Sequence, residues 1–130
     1  MQHHKTHSTA LIIMAHGSRQ AAANEEFQAL VNTIDQHNLA YTSIHHCFLE
    51  LAQPDLHSAV NAALKNNVSA IDVYPLFFNQ GNHVQRDIPK QIAEIKQQYP
   101  KLTIQALDYF GCHPSLGQII AEHIVHQKSE

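Results

Sequence analysis

Apolar positions recur along this chain with two periods that take turns. Residues 9 to 15, TALIIMA, are a continuous apolar run, the pattern of a strand covered on both faces. Residues 21 to 37 place Phe27, Leu30, Val31 and Ile34 at helical spacing. YTSIHHCFLE (41 to 50) reads as a second strand interrupted by His45 and His46. Pro54 is expected in the first turn of a helix that carries Leu56, Val60, Ala63 and Leu64. AIDVYPLFF (70 to 78) is the third strand. Asn82, with Gln85 three residues on, has the spacing of a capping box. The helix it would open sets Val84, Ile88, Ile92 and Ile95 on one face, with Pro89 expected to bend it. LTIQALDYF (102 to 110) is the fourth strand, and HPSLGQIIAEHIV (113 to 125) the last helix, with Pro114 in its first turn.

Four strands and four helices in strict alternation specify an α/β fold: a four-stranded parallel sheet with helices on both faces and right-handed crossovers. The flavodoxin-like strand order 2-1-3-4 fits this pattern. Ligands then bind beyond the carboxyl ends of the strands, where the order reverses between strands 1 and 3. The expected division is an N-terminal segment over residues 1 to 9, flexible and histidine-containing, and a single domain over 10 to 127.

Length and composition agree and narrow the function. The 130 residues fit one domain with a full core. Charged residues are 15% of the chain, below the roughly 25% of a typical domain, as for a protein that covers surface with a partner such as a second copy. The formal net charge of −3 gives no field that would gather nucleic acid. No run approaches the roughly 20 apolar residues of a membrane span, and MQHHKTHSTA has no secretion-signal core. Cys47 and Cys112 lack metal-type spacing, which favours a reduced, cytoplasmic protein. Histidine is the outlier, with 12 copies against 8 Lys plus Arg. His3, His4 and His7 form a polar cluster that is either a weak metal collector or without function.

The candidate chemistry lies at the strand ends. His16 closes strand 1 in AHGSR, His83 follows strand 3 in FFNQGNHVQRDIP, and Glu50 ends strand 2 on the other side of strand 1. With adjacent strands about 4.8 Å apart, the two imidazoles are expected within about 10 Å of each other in one crevice. Neutral imidazole and carboxylate bind first-row divalent metals, and three protein ligands leave coordination positions open. Gly17 is expected to allow a tight turn and Gly81 to free the loop before helix 3. Arg19 and Arg86, with the nearby helix starts, suit anionic groups of a substrate.

AHGSRQAAANEEF, CFLELAQPDL, VYPLFFNQGNHVQRDIP and FGCHPSL together resemble the CbiX-type sirohydrochlorin chelatases in their short form, over about residues 10 to 120. The resemblance implies a class II chelatase, which inserts a divalent metal into a tetrapyrrole without ATP and without an organic cofactor. It implies sirohydrochlorin, a tetrapyrrole with eight carboxylates, as substrate. Cobalt is the favoured metal, with nickel or iron as alternatives. A cytoplasmic homodimer on a route such as cobalamin synthesis is also implied, with neither nucleic acid nor membrane as partner. The family's two histidines fall on His16 and His83 as catalytic and metal-binding groups, and its carboxylate on Glu50. Ser18, Arg19, Gly81, Asn82 and Arg86 are the expected substrate contacts, with Lys90 adding charge. The competing readings are a histidine-rich metal-delivery protein, a histidine phosphatase and an FMN module. Ala15 stands where a phosphatase has arginine, and the first loop lacks a Ser/Thr-rich phosphate cradle.

Overall fold

The computed structural model describes residues 8–128, so His3, His4 and His7 lie outside the described residues. Within them four strands, β1 (Thr9–Ala15), β2 (Ser43–Phe48), β3 (Ala70–Pro75) and β4 (Thr103–Ala106), form one parallel sheet in the order β2-β1-β3-β4. The helices are α1 (Ala21–Asp35), α2 (Leu56–Leu64), α3 (Asn82–Gln98) and α4 (Leu116–Lys128). The predicted architecture and strand order are therefore observed. The sheet includes Thr9, the last residue of the stretch expected to lie outside the domain. Ser8 is tied to Ser69 by a side-chain hydrogen bond of 3.0 Å and by its carbonyl, which accepts from the Ser69 amide at 2.8 Å.

The central strand β1 is buried on both faces, which is why its sequence is apolar without alternation. Ala10, Ile12 and Met14 join Cys47, Ile71, Val73 and Ile104 in the larger core, closed by Leu56, Val60 and Ala63 of α2 and Ile88, Ile92 and Ile95 of α3. Leu11 and Ile13 face α1, where Val31 is buried and Phe27 and Ile34 half-buried. Leu30 was expected on that apolar face but is exposed. Phe27, Val31 and Ile34 already fill the sheet-facing stripe at spacings of four and three, which leaves Leu30 turned to the side. At the sheet's other end Asp72 accepts from the Tyr41 hydroxyl at 2.8 Å and the Gln105 amide at 2.9 Å. Burial first, and then Asp72, push the Tyr41 hydroxyl up to about 12.

Several boundaries differ from the expected ones. Pro54 precedes α2, because Asp55 is its N-cap and accepts from the Ser58 amide at 2.9 Å. That bond is the main reason the Asp55 carboxyl is held below the usual carboxylate range. The capping box at Asn82 is not made: Asn82 is already helical, and Gly81 is the N-cap without a side-chain bond. α3 continues through Pro89, whose ring nitrogen has no proton to give the Gln85 carbonyl. β3 and β4 stop at Pro75 and Ala106, short of residues 78 and 110. A 3-10 turn occupies Phe110–Cys112, and Pro114 lies before α4 rather than in it.

Candidate metal and substrate site

β1 delivers His16 to the carboxyl edge of the sheet, between the ends of β2 and β3. The β1–β2 ladder continues past both strands: the Leu49 amide donates to Ala15 at 2.8 Å, and the Glu50 amide to the His16 carbonyl at 3.0 Å. This backbone zipper carries Glu50 to His16, whose Nε2 lies 3.1 Å from Glu50 Oε2. Both side chains stay nearly half exposed, so the pair is open to small ions. His16 Nδ1 also meets the Gly17 carbonyl oxygen at 3.3 Å. A carbonyl can only accept, so a hydrogen bond there requires the tautomer with its proton on Nδ1. The Nε2 lone pair then faces a group that also only accepts when ionised. Either a proton on Nε2 or a cation in its place satisfies the arrangement.

Gly17 is required by its surroundings. Its φ is +103°, and a Cβ there would meet the Glu50 carbonyl oxygen at 1.8 Å. Gly81 is not so constrained, since a Cβ at that position meets nothing within 4 Å and its φ of −76° suits any residue. The loop after Gly17 is pinned to α1 by Asn24, whose Nδ2 donates to the Ser18 carbonyl at 2.8 Å and whose Oδ1 accepts from the Ser18 amide at 3.1 Å. Ser18 Oγ accepts from the Gln20 amide at 2.9 Å, so this hydroxyl shapes the turn into α1. Sequence reasoning did not single out Asn24. An asparagine in the first turn of a helix, six residues after a serine, has no local signature, and only the folded loop brings the two together.

On the β3 side the Leu76 amide donates to the Met14 carbonyl at 2.8 Å, which sets Phe77 beside the imidazole with ring centroids 6.4 Å apart and edge to face. His16, Phe77, Phe78, Asn79, Gly81 and Val84 line an open pocket of about 430 Å³. It occupies the place where the strand order reverses. Asn82 and His83 are the first two residues of α3, directly after Gly81, and the described residues stop short of the His83 side chain. Arg86 and Lys90 follow on α3 and Arg19 precedes α1, all three exposed. Among the described residues no three His, Cys, Asp or Glu side chains come together as a metal site. The structure thus joins two of the three expected ligands.

A parallel α/β sheet thus carries an imidazole–carboxylate pair and an open pocket together at the point where its strand order reverses. The family model for CbiX matches residues 10–127, and this chain belongs to that family. It is 30% identical over 121 residues to a sirohydrochlorin ferrochelatase of Bacillus subtilis, across 93% of this chain and 44% of that protein. It is 27% identical over 114 residues to a sirohydrochlorin cobaltochelatase of Sulfurisphaera tokodaii, across 88% and 89% of the two chains. The chain thus spans less than half the length of the first of these relatives. The crystal structure of a putative cobalamin (vitamin B12) biosynthesis CbiX protein from Marinobacter aquaeolei matches with a TM-score of 0.82 at 28% identity, covering 93% of this chain and 98% of that one.

Proposed function

We propose that this chain inserts a divalent metal into sirohydrochlorin without ATP, with His16, His83 and Glu50 as the metal-handling groups. The observation that carries the reading is the His16–Glu50 pair beside the open pocket. Its N···O separation of 3.1 Å matches the edge between neighbouring ligands of one metal, about 3 Å when each bond is about 2.1 Å. A cation can therefore replace the Nε2 proton without either side chain moving far.

Insertion exchanges one M²⁺ for two pyrrole N–H protons, so the charge balances. The cation must shed water and the ring must lose protons as the metal enters. Imidazole and carboxylate serve both needs: they hold the ion loosely at few positions, and once it leaves they are bases at the right place. Cobalt is the first choice of metal, with nickel and iron as alternatives, because a nitrogen–oxygen donor set accepts all three. Relatives named for cobalt and for iron support this breadth. Ser18, Arg19, Gly81, Asn82 and Arg86 are the proposed substrate contacts, the two arginines and Lys90 meeting carboxylates at the ring's edge.

The working form is proposed to be a homodimer in the cytoplasm, because one open half-cleft does not enclose a tetrapyrrole. The exposed apolar side chains of α4 support a second copy. The deciding experiment is an absorbance assay with sirohydrochlorin and, separately, Co²⁺, Ni²⁺ and Fe²⁺. His16→Ala and His83→Ala are each expected to lose most of the insertion rate while circular dichroism stays unchanged. Wild-type rates in both variants would refute the assignment.

A further inference from the structure

Metal handling does not account for the apolar side chains around the His16–Glu50 pair. Phe78 follows the end of β3 and is 69% exposed, and Leu51 follows Glu50 past the end of β2 and is 50% exposed. Leu51 and Phe78 lie three residues past the ends of β2 and β3, the two strands that flank β1, and His16 directly follows β1.

Phe78 also has company. Its ring lies 6.0 Å from that of Phe110 at an angle of 59°, and Phe110 lies 6.5 Å from the His113 ring at 56°. A flat ligand stacked on one of these rings meets the edge of the next, and both contacts are favourable for π systems. Backbone geometry enforces the row. The Gly111 amide donates to the Phe77 carbonyl at 2.8 Å, and a Cβ on Gly111 would meet the Phe78 carbonyl oxygen at 1.7 Å. Any other residue at 111 would push the 3-10 turn off the end of β3 and carry Phe110 away from Phe78. The glycine of FGCHP thus sets the aromatic row in place beside the pocket.

We propose that Phe78, Phe110 and His113 form a stacking wall that takes one face of the planar tetrapyrrole and sets its centre over the His16–Glu50 pair. This rests on the chelatase reading and adds the residues that hold the ring. Phe78 shares the pocket wall with His16, so a macrocycle lying on Phe78 extends over the metal-handling imidazole. Leu51 meets its far edge from the β2 side. The division of labour follows from the chemistry: apolar rings bind the conjugated face, arginines and lysine the carboxylate rim, and His16 with Glu50 the metal at the centre. The three wall residues position the substrate and do not touch the metal.

The test compares Phe78→Ala, Phe110→Ala and Phe78→Trp with wild-type protein. Three quantities are measured: kcat and KM for sirohydrochlorin with Co²⁺, sirohydrochlorin binding by fluorescence quenching without metal, and Co²⁺ binding by calorimetry without tetrapyrrole. Each alanine variant is expected to weaken tetrapyrrole binding about 5- to 30-fold, the usual range for losing one stacking partner. Co²⁺ affinity stays at the wild-type value, and Phe78→Trp restores KM. Unchanged KM in both alanine variants overturns the wall while leaving the chelatase reading standing. A change of oligomeric state in Phe78→Ala also overturns it, because Phe78 would then be a contact between copies. Wild-type protein that neither binds nor metallates sirohydrochlorin defeats the chelatase reading itself, and the wall with it.

Discussion

The carbonyl oxygen of Glu50 lies 1.8 Å from where a Cβ on Gly17 would sit. The residue after His16 is thus pressed against the backbone of Glu50. The contact and the 3.1 Å approach of His16 to Glu50 are two consequences of one event, the continuation of the β1–β2 ladder by the Leu49 and Glu50 amides. Gly17→Ala must either move Glu50 or leave φ +103°, and a side chain held in such a conformation costs about 1–3 kcal/mol before any clash is counted. The variant is expected to melt several degrees lower and to lose insertion activity out of proportion to that change. Gly81→Ala, at an open position, is expected to leave the melting temperature unchanged. Thermal melts of the two variants check the contrast.

Glu50→Gln keeps the shape of the side chain and removes its charge. The amide still accepts from an Nε2 proton of His16, so the fold and the local geometry persist. With the proposed ligand set, a divalent cation then loses its one anionic ligand. Co²⁺ affinity is expected to fall on the order of 10- to 100-fold, with the melting temperature of the metal-free protein within about 2 °C of wild type. Calorimetry with Co²⁺ gives the first quantity and differential scanning fluorimetry the second. A Co²⁺ affinity equal to wild type would remove Glu50 from the ligand set.

What the sequence conveyed about this protein follows from where its information is local. Burial of β1 on both faces writes itself as an unbroken apolar run, and β–α alternation writes itself as a change of period. The strand order, and the edge at which His16 meets Glu50, were therefore legible in advance. Element ends were not. Asp55 outcompetes Pro54 as the start of α2 because a side-chain oxygen satisfies a helix amide, and Gly81 ends the loop before α3 without help from Asn82. The closest features of the site were also out of reach. The Asn24–Ser18 clamp and the Gly111–Phe78 approach depend on backbone segments brought together by folding, and nothing in the spacing of those residues announces it.

His46 gives the fold a pH dependence of known sign. Its ring lies edge-on to Phe27 and Phe48, 6.2 and 5.7 Å between centroids, and burial pushes its pKa below the ordinary value. His45 is shifted the same way, chiefly by burial and then by His46, with Asp35 opposing. A lowered folded-state pKa means that the unfolded chain takes up the proton first. This contribution to stability is complete above the unfolded value of about 6.5 and is lost as pH falls through the folded-state values. The melting temperature is expected to drop between about pH 7.5 and about pH 5.5, and His46→Phe should make that drop smaller. An equally steep fall in His46→Phe would place the sensitivity elsewhere.

No residue of α4 is buried, and Ile119, Ile120, Ile124 and Val125 are exposed on it. Ile120 and Ile124 are four apart and share a helix face, so two charges there would disable that face without disturbing the core. A helix of this length gains its stability from what it packs on, and every residue of α4 after Leu116 is exposed. A second copy of the chain is the proposed cover, and a stable pair of this size needs about 800 Å² from each partner. Ile120→Lys with Ile124→Lys is therefore expected to turn a dimer into a monomer by light scattering at micromolar concentration. The monomer should keep its Co²⁺ affinity, because His16 and Glu50 come from one chain, and should lose insertion, because the tetrapyrrole would be held on one side only. A double variant that stays dimeric would move the interface off α4. A monomer with full activity would show that one half-cleft is enough.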